Sequence, residues 1–133
     1  MFIRGSTILR QERMYQQEIT EQIIGAAFEV YNHLGYGFLE KVYKNAMKVE
    51  LDLRGVPSVL EAPIKVNFKN QLVGDYFADL LVADVVIVEL KVAKAYNSAD
   101  EAQLLNELKA TGIKVGLLIN FGKEKVEFKR MVY

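Results

Sequence analysis

The stretch from Ala78 to Val92, ADLLVADVVIVELKV, constrains the fold more than any other part of the sequence. Its apolar and β-branched residues are typical of two buried strands, so a core sheet passes through this point. Three charged residues, Asp79, Glu89 and Lys91, lie within this apolar segment. An unpaired ion in a core destabilises the folded state by several kcal/mol, so we expect these charged residues either to have charged partners or to take part in a functional site.

The order of helical and strand periodicity defines the remaining architecture. The predicted elements, in chain order, are a helix capped by Thr20 and ending at Leu34, a helix from Phe38 to Arg54, three strands between Ser58 and Val92 with a hairpin turn at Lys69-Asn70, a helix capped by Ser98 and ending at Gly112, and two further strands. A mixed α/β sheet with helices packed on it satisfies this order. We expect residues 1–17 to form an N-terminal arm or short helix and residues 18–133 to form a single domain.

Two neighbouring stripes run along the second predicted helix. The apolar stripe, which we expect to face the core, contains Leu39, Val42, Ala46, Val49 and Leu53. Glu40 and Tyr43 lie one turn apart on the adjacent stripe, so their side chains are neighbours.

Composition excludes several classes of protein. The chain has 133 residues, 51% of them hydrophobic, and no cysteine, which rules out a disulfide framework and a thiolate zinc site. No apolar run approaches the roughly 20 residues of a transmembrane helix, and the N-terminus lacks the apolar region of a signal peptide. We therefore expect a soluble cytoplasmic protein. Seventeen basic residues balance seventeen acidic ones, although the end of the chain from Lys109 is mildly basic.

The geometry of one turn decides whether the embedded charges can act together. Glu89 and Lys91 are two residues apart and therefore point to the same face of a strand. A two-residue turn at Ala83-Asp84 would pair Asp79 with Val88, and Asp79 and Glu89 would then face opposite sides of the sheet. Only an odd-numbered loop or a bulge brings the two carboxylates together.

Two interpretations of Asp79, Glu89 and Lys91 are open. Two carboxylates on one face form a hard oxygen site suited to Mg²⁺ or Mn²⁺, and a lysine beside them can hold a phosphate or a water molecule. Such a site suits metal-assisted hydrolysis of a phosphodiester. The alternative is an ordinary ion pair between Glu89 and Lys91 at a sheet edge, with Asp79 near a turn.

Four segments, LGYGFLEKVY, ADLLVADVVIVELK, AQLLNELKATG and GLLINFG, resemble in this order the GxxExxY protein family, which is itself similar to the PD-(D/E)xK nuclease superfamily. Gly37, Glu40 and Tyr43 match the motif that gives the family its name, and the resemblance runs from about Ile19 to Val132. It implies a restriction-endonuclease-like fold with an α-β-β-β-α-β core, a mixed sheet flanked by helices and one extra C-terminal strand.

The resemblance also implies a set of site residues. They are the metal ligands Asp79 and Glu89, the catalytic residues Lys91, Glu40 and Gln103, and the substrate contact Tyr43, whose hydroxyl would bind Glu40 or a phosphate oxygen. The chain departs from the family pattern at Glu107, where tyrosine is usual.

These implications lead to one principal function and two alternatives. The principal one is a nuclease dependent on Mg²⁺ or Mn²⁺ that cleaves DNA or RNA and leaves a 5′-phosphate. The first alternative is a non-catalytic, nuclease-like binding module that acts through a protein or nucleic-acid partner, which the neutral net charge favours. The second is a homodimer whose basic ends combine into one substrate surface.

Overall fold

The computed structural model describes residues 2–94 and 97–133, with the side chains from residue 7 onward. Its elements are α1 (Phe2–Leu34), α2 (Glu40–Leu53), β1 (Ser58–Phe68), β2 (Gln71–Val82), β3 (Val86–Lys91), α3 (Ser98–Thr111), β4 (Val115–Phe121) and β5 (Val126–Val132). The predicted order of two helices, three strands, a helix and two strands is confirmed.

The strands form one mixed sheet in the spatial order β1-β2-β3-β4-β5. All neighbouring pairs are antiparallel except β3 and β4, which are parallel and are joined through α3. A parallel pair requires such a crossover, whereas the antiparallel β1–β2 pair closes through the predicted hairpin turn at Lys69 and Asn70. Both turn residues have positive φ angles, of 47° and 65°. The predicted restriction-endonuclease-like fold, with its extra C-terminal strand, is confirmed.

Helices cover both faces of the central strands. On one face, α1 and α2 pack against a cluster that includes Leu80 and Val88, and on the other α3 packs against Ile87 and Leu118. Strand β4 is therefore buried along its whole length, and β3 along all of it except Lys91. A charged residue in β3 consequently has a helix above it on whichever face it points to.

Two predicted helix starts are wrong. Helix α1 continues without a break through Thr20, whose hydroxyl donates to the carbonyl of Gln16 instead of capping a new helix. Helix α3 is capped by Asn97, whose side chain accepts from the N–H of Ala99, so Ser98 is not the cap. Along the described chain, no helix combines the length and apolarity needed to cross a membrane.

The predicted core stripe of α2 is also wrong. Its members Leu39, Val49 and Leu53 are exposed, and the buried side chains of the helix are Tyr43, Met47 and Leu51. The ring of Tyr43 stacks on Phe121 with centroids 4.5 Å apart, and its hydroxyl donates a 2.6 Å hydrogen bond to the carbonyl of Gly35. A tyrosine can be buried in a core when its hydroxyl is hydrogen-bonded. Because Tyr43 is buried in this way, the buried face of α2 is displaced by one residue from the stripe predicted from hydrophobicity alone.

Candidate active site

The turn between β2 and β3 contains three residues. The register pairs Val82 with Val86 and Leu80 with Val88, leaving residues 83–85 as the loop. Of the two alternatives left open by the sequence, the structure therefore has the odd-numbered loop and not the two-residue turn at Ala83-Asp84. The odd loop reverses the parity, and the same register continued by one pair places Asp79 opposite Glu89. The pairs of the register end at Leu80 and Val88, and the two carboxylates are brought together by their own hydrogen bonds just beyond that point.

The two carboxylates take over hydrogen bonds from the backbone where β2 and β3 part. The N–H of Asp79 donates to Oε1 of Glu89 over 2.8 Å, and the N–H of Leu90 donates to Oδ2 of Asp79 over 2.7 Å. Each acid is thus anchored to the neighbouring strand through one oxygen. The arrangement holds both side chains in fixed positions and leaves the second oxygen of Glu89 for another ligand.

A lysine of α2 lies against this pair. The Nζ of Lys44 is 3.0 Å from Oε1 of Glu61 and 3.8 Å from Oδ1 of Asp79. Burial opposes its charge, but the bond to Glu61 and the charge of Asp79 prevail and raise the pKa of Lys44. Lys44 was not predicted from the sequence, although its place four residues after Glu40 on one helix face was a usable signal.

The predicted residues Lys91 and Glu40 border the same group. The Nζ of Lys91 is 3.6 Å from Oδ1 of Asp100, a residue in the first turn of α3. Burial raises the pKa of Glu40, and the charge of Asp79 raises it further, while Lys91 and Lys44 oppose the shift. Glu40 is thus within electrostatic range of both the acid pair and the lysine.

A second buried glutamate stands beside Glu89. Burial raises the pKa of Glu89 to about 8, and the charges of Asp79 and Glu107 add to the effect. Burial likewise raises the pKa of Glu107 to about 7. Glu107 is only 3% exposed, its Oε2 accepts from Nε2 of Gln103 over 3.4 Å, and its Oε1 has no hydrogen-bond partner within the described structure.

Glu107 was not among the predicted site residues and stood out in the sequence only as a departure from a family pattern. A signal was present, because residue 107 falls on the same buried stripe of α3 as Leu104 and Leu108. An acidic residue in a core-facing stripe indicates a site in the same way as one in a buried strand.

Comparison with known proteins identifies the superfamily of the chain. A family model of the PD-(D/E)XK nuclease superfamily matches residues 17–131. The chain belongs to the PD-(D/E)XK nuclease superfamily. The crystal structure of SSO0001 is similar in fold, with a TM-score of 0.58 and 14% identity over 92% of this chain and 61% of that one. No curated protein matches the sequence.

Membership makes this a nuclease-like protein, and nucleases of the PD-(D/E)XK superfamily generally use divalent metal ions. The donor chemistry here suits such an ion, because Asp79 and Glu89 supply carboxylate oxygens close together where β2 and β3 part. Within residues 2–94 and 97–133, no three histidine or acidic side chains are close enough to hold a metal. Mg²⁺ commonly uses one or two carboxylates and keeps several waters, so two protein ligands are sufficient.

The predicted residues of the PD-(D/E)XK site differ in how they are placed. Asp79 and Glu89 are joined by hydrogen bonds where β2 and β3 part, and Lys91 and Glu40 lie within electrostatic range of them. Gln103 is exposed and reaches the group only through its hydrogen bond to Glu107. Tyr43 is fully buried, and its hydroxyl is bonded to Gly35 and not to Glu40. Its position therefore favours a structural role over the expected contact with substrate.

Proposed function

We propose that this PD-(D/E)XK protein is a metal-dependent nuclease that hydrolyses phosphodiester bonds of DNA or RNA. The three-residue turn that aligns Asp79 with Glu89 carries the proposal. Two like charges held side by side in a core destabilise a fold, and apolar residues of similar size would be more stable there. Such an arrangement is expected where a bound cation compensates the charges.

The roles of the residues follow from their places. Asp79 and Glu89 would hold Mg²⁺ or Mn²⁺, which supplies a Lewis acid for the scissile phosphate when bound. Lys91, on the same strand face as Glu89, would hold a phosphate oxygen or orient a water molecule as a point charge. Glu40 adds a third carboxylate near the pair, and Gln103 orients Glu107 by its hydrogen bond.

We further propose that the chain is a member of the GxxExxY family. Gly37 has a φ of 118°, a value that favours glycine, and Tyr43 binds the carbonyl of Gly35 in the same loop. These motif residues shape the loop before α2 and thereby place Glu40 in the first turn of that helix. The motif would thus act by positioning its own glutamate beside the metal ligands.

The alternative function is a nuclease-like binding module without catalysis. One observation favours it: both lysines of the site already have acidic partners, Lys91 in Asp100 and Lys44 in Glu61 and Asp79. In such a module the charges would neutralise one another and the carboxylates would carry no metal. A homodimer and a cytoplasmic location likewise stay predictions from the sequence.

Cleavage assays separate the two functions. The protein is incubated with single- and double-stranded DNA and RNA in Mg²⁺, Mn²⁺ or a chelator. We expect metal-dependent cleavage that Glu89→Gln and Lys91→Ala each reduce by at least ~100-fold. Asp84→Asn, which removes a carboxylate from the exposed β2–β3 turn, and Lys114→Ala, beside β4, are the matched controls and retain full activity. If no substrate is cleaved with any metal, the binding module is the better description.

A further inference from the structure

A groove of about 970 Å³ separates α3 from the hairpin formed by β1 and β2. Its α3 wall includes Gln103, Asn106 and Lys109, which follow one another at helical spacing. Its hairpin wall includes Asn67 and Tyr76. The groove therefore presents amide groups on both walls and an aromatic ring on one of them.

The ring of Tyr76 is held against the hairpin and open toward the groove. A Cβ placed on Gly74 would lie 3.0 Å from Cε2 of Tyr76 and 3.3 Å from Cβ of Val66. The lack of a side chain at Gly74 thus makes room for the edge of the Tyr76 ring. Tyr76 is nonetheless 53% exposed, so it is a supported aromatic surface that has no partner on its open side among the ring pairs of the described residues.

The groove is continuous with the candidate active site. Gln103 and Glu107 both line it, and Gln103 donates to Glu107, which lies beside Glu89. Ala99 also lines the groove and precedes Asp100, the partner of Lys91. A chain lying in the groove would therefore run toward the carboxylates.

We propose that this groove binds a single-stranded segment of nucleic acid, with an unpaired base stacked on Tyr76 and a phosphate beside Lys109. This inference rests on the proposed function and adds the form of the substrate. A duplex keeps its bases paired and stacked on one another, so a ring on a groove wall can stack only on an unpaired base. The amides of Gln103, Asn106 and Asn67 can hydrogen-bond to its exposed edge.

The charges of the groove agree with such a ligand. Two lysines, Lys65 and Lys109, line it, and the one acidic residue among the described lining residues is Glu107, whose side chain is buried. An interface between two copies of the chain is the competing use of this hairpin, because Phe68 and Phe77 are also exposed there. Those two rings lie outside the groove lining, whereas the lysines and amides lie within it.

Fluorescence anisotropy of a labelled, mixed-sequence single-stranded DNA tests the proposal. The full chain is titrated in the presence of a chelator, so that binding is measured without cleavage. We expect Tyr76→Ala to weaken binding about tenfold or more, while Tyr76→Phe keeps the stacking surface and the affinity. Phe77→Ala is the matched control: it removes an exposed ring from the next position of the same strand, outside the groove, and leaves binding unchanged. The duplex of the same sequence should bind more weakly and without dependence on Tyr76.

Several outcomes would overturn the inference. They are equal binding by Tyr76→Ala and wild type, duplex binding as tight as single-strand binding, and a dimer in size-exclusion chromatography that Phe77→Ala dissociates. If Tyr76→Ala does not fold by circular dichroism, Lys109→Glu replaces it, and it should weaken binding and reduce the slope of log affinity against log salt by about one or more. If the protein cleaves no substrate but its binding depends on Tyr76, the proposed nuclease is rejected and the groove proposal stands. If the protein cleaves substrate but its binding does not depend on Tyr76, the groove proposal is rejected and the nuclease stands.

Discussion

The backbone N–H of Asp79 donates a 2.8 Å hydrogen bond to the side chain of Glu89, ten residues later on the adjacent strand. An antiparallel pair normally satisfies such an N–H with a carbonyl of its neighbour. Here a carboxylate replaces that carbonyl, and the N–H of Leu90 in turn donates to Oδ2 of Asp79. The strands therefore part with these two backbone N–H groups still hydrogen-bonded, and two acids are fixed at the opening.

The burial of Glu107 gives a prediction for stability. Its pKa is raised to about 7, so the folded state disfavours the charged form. The stability contributed by the protonated carboxyl is complete below the ordinary pKa of a glutamate, near 4.5, and is lost as the pH rises through 7. We expect Glu107→Gln to raise the free energy of unfolding by about 1–2 kcal/mol at pH 8 and to change it little at pH 4. Urea denaturation at both pH values measures this, with Asp84→Asn as a control that changes neither.

The raised pKa of Glu89 predicts that metal binding depends on pH. A carboxyl with a pKa of about 8 is mostly protonated at pH 6, and a metal must displace that proton. Because ionisation falls tenfold for each pH unit below the pKa, we expect affinity for Mn²⁺ to be tens of fold weaker at pH 6 than at pH 8. Isothermal titration calorimetry measures the affinity and the released proton. Equal affinity at both pH values would mean that Glu89 is not a ligand.

Tyr43 should behave as a structural residue. Tyr43→Phe removes the hydroxyl that donates to the carbonyl of Gly35, and we expect it to lower the free energy of unfolding by about 1–2 kcal/mol. Affinity for single-stranded DNA should not change, because the ring is fully buried. The opposite result, unchanged stability with weakened binding, would restore the substrate contact that the sequence suggested.

The two acidic partners of Lys44 should contribute unequally. Glu61 is nearer, at 3.0 Å, but its side chain is 66% exposed, whereas Asp79 is 3.8 Å away and 16% exposed. Gross Coulomb energies are about 1 kcal/mol for the solvated contact and about 4 kcal/mol for the partly buried one, before desolvation offsets them. Double-mutant cycles with Lys44→Met should therefore give a larger coupling energy with Asp79→Asn than with Glu61→Gln. The reverse ranking would show that contact distance outweighs burial here.

The element order and the mixed sheet could be predicted from the sequence because β-branched runs and helical periods are local signals. The hairpin at Lys69-Asn70 was predictable for the same reason, since asparagine tolerates a positive φ. The turn after Val82 was not. Ala83 adopts a φ of 51°, and its N–H donates to the carbonyl of Pro57, so a contact from before β1 sets the loop length.

The candidate site was predictable only where its residues lie within one strand or one motif. Glu89 and Lys91 share a face by periodicity, whereas the alignment of Asp79 depends on that loop. Lys44 and Glu107 enter the site from two different helices, and only tertiary packing brings them near Asp79 and Glu89. The buried stripe of α2 was misassigned because the hydrogen bond that makes Tyr43 a core residue forms with a carbonyl eight residues away.

A crystal structure of the protein soaked in Mn²⁺ at a pH above 8 tests the central claim most directly. At that pH Glu89 can lose its proton, and anomalous scattering identifies the ion without ambiguity. We expect one anomalous peak within about 2.5 Å of carboxylate oxygens from both Asp79 and Glu89, and no such peak in Glu89→Gln. A wild-type crystal with no peak between these two acids, or with manganese bound only elsewhere, would contradict the proposed site.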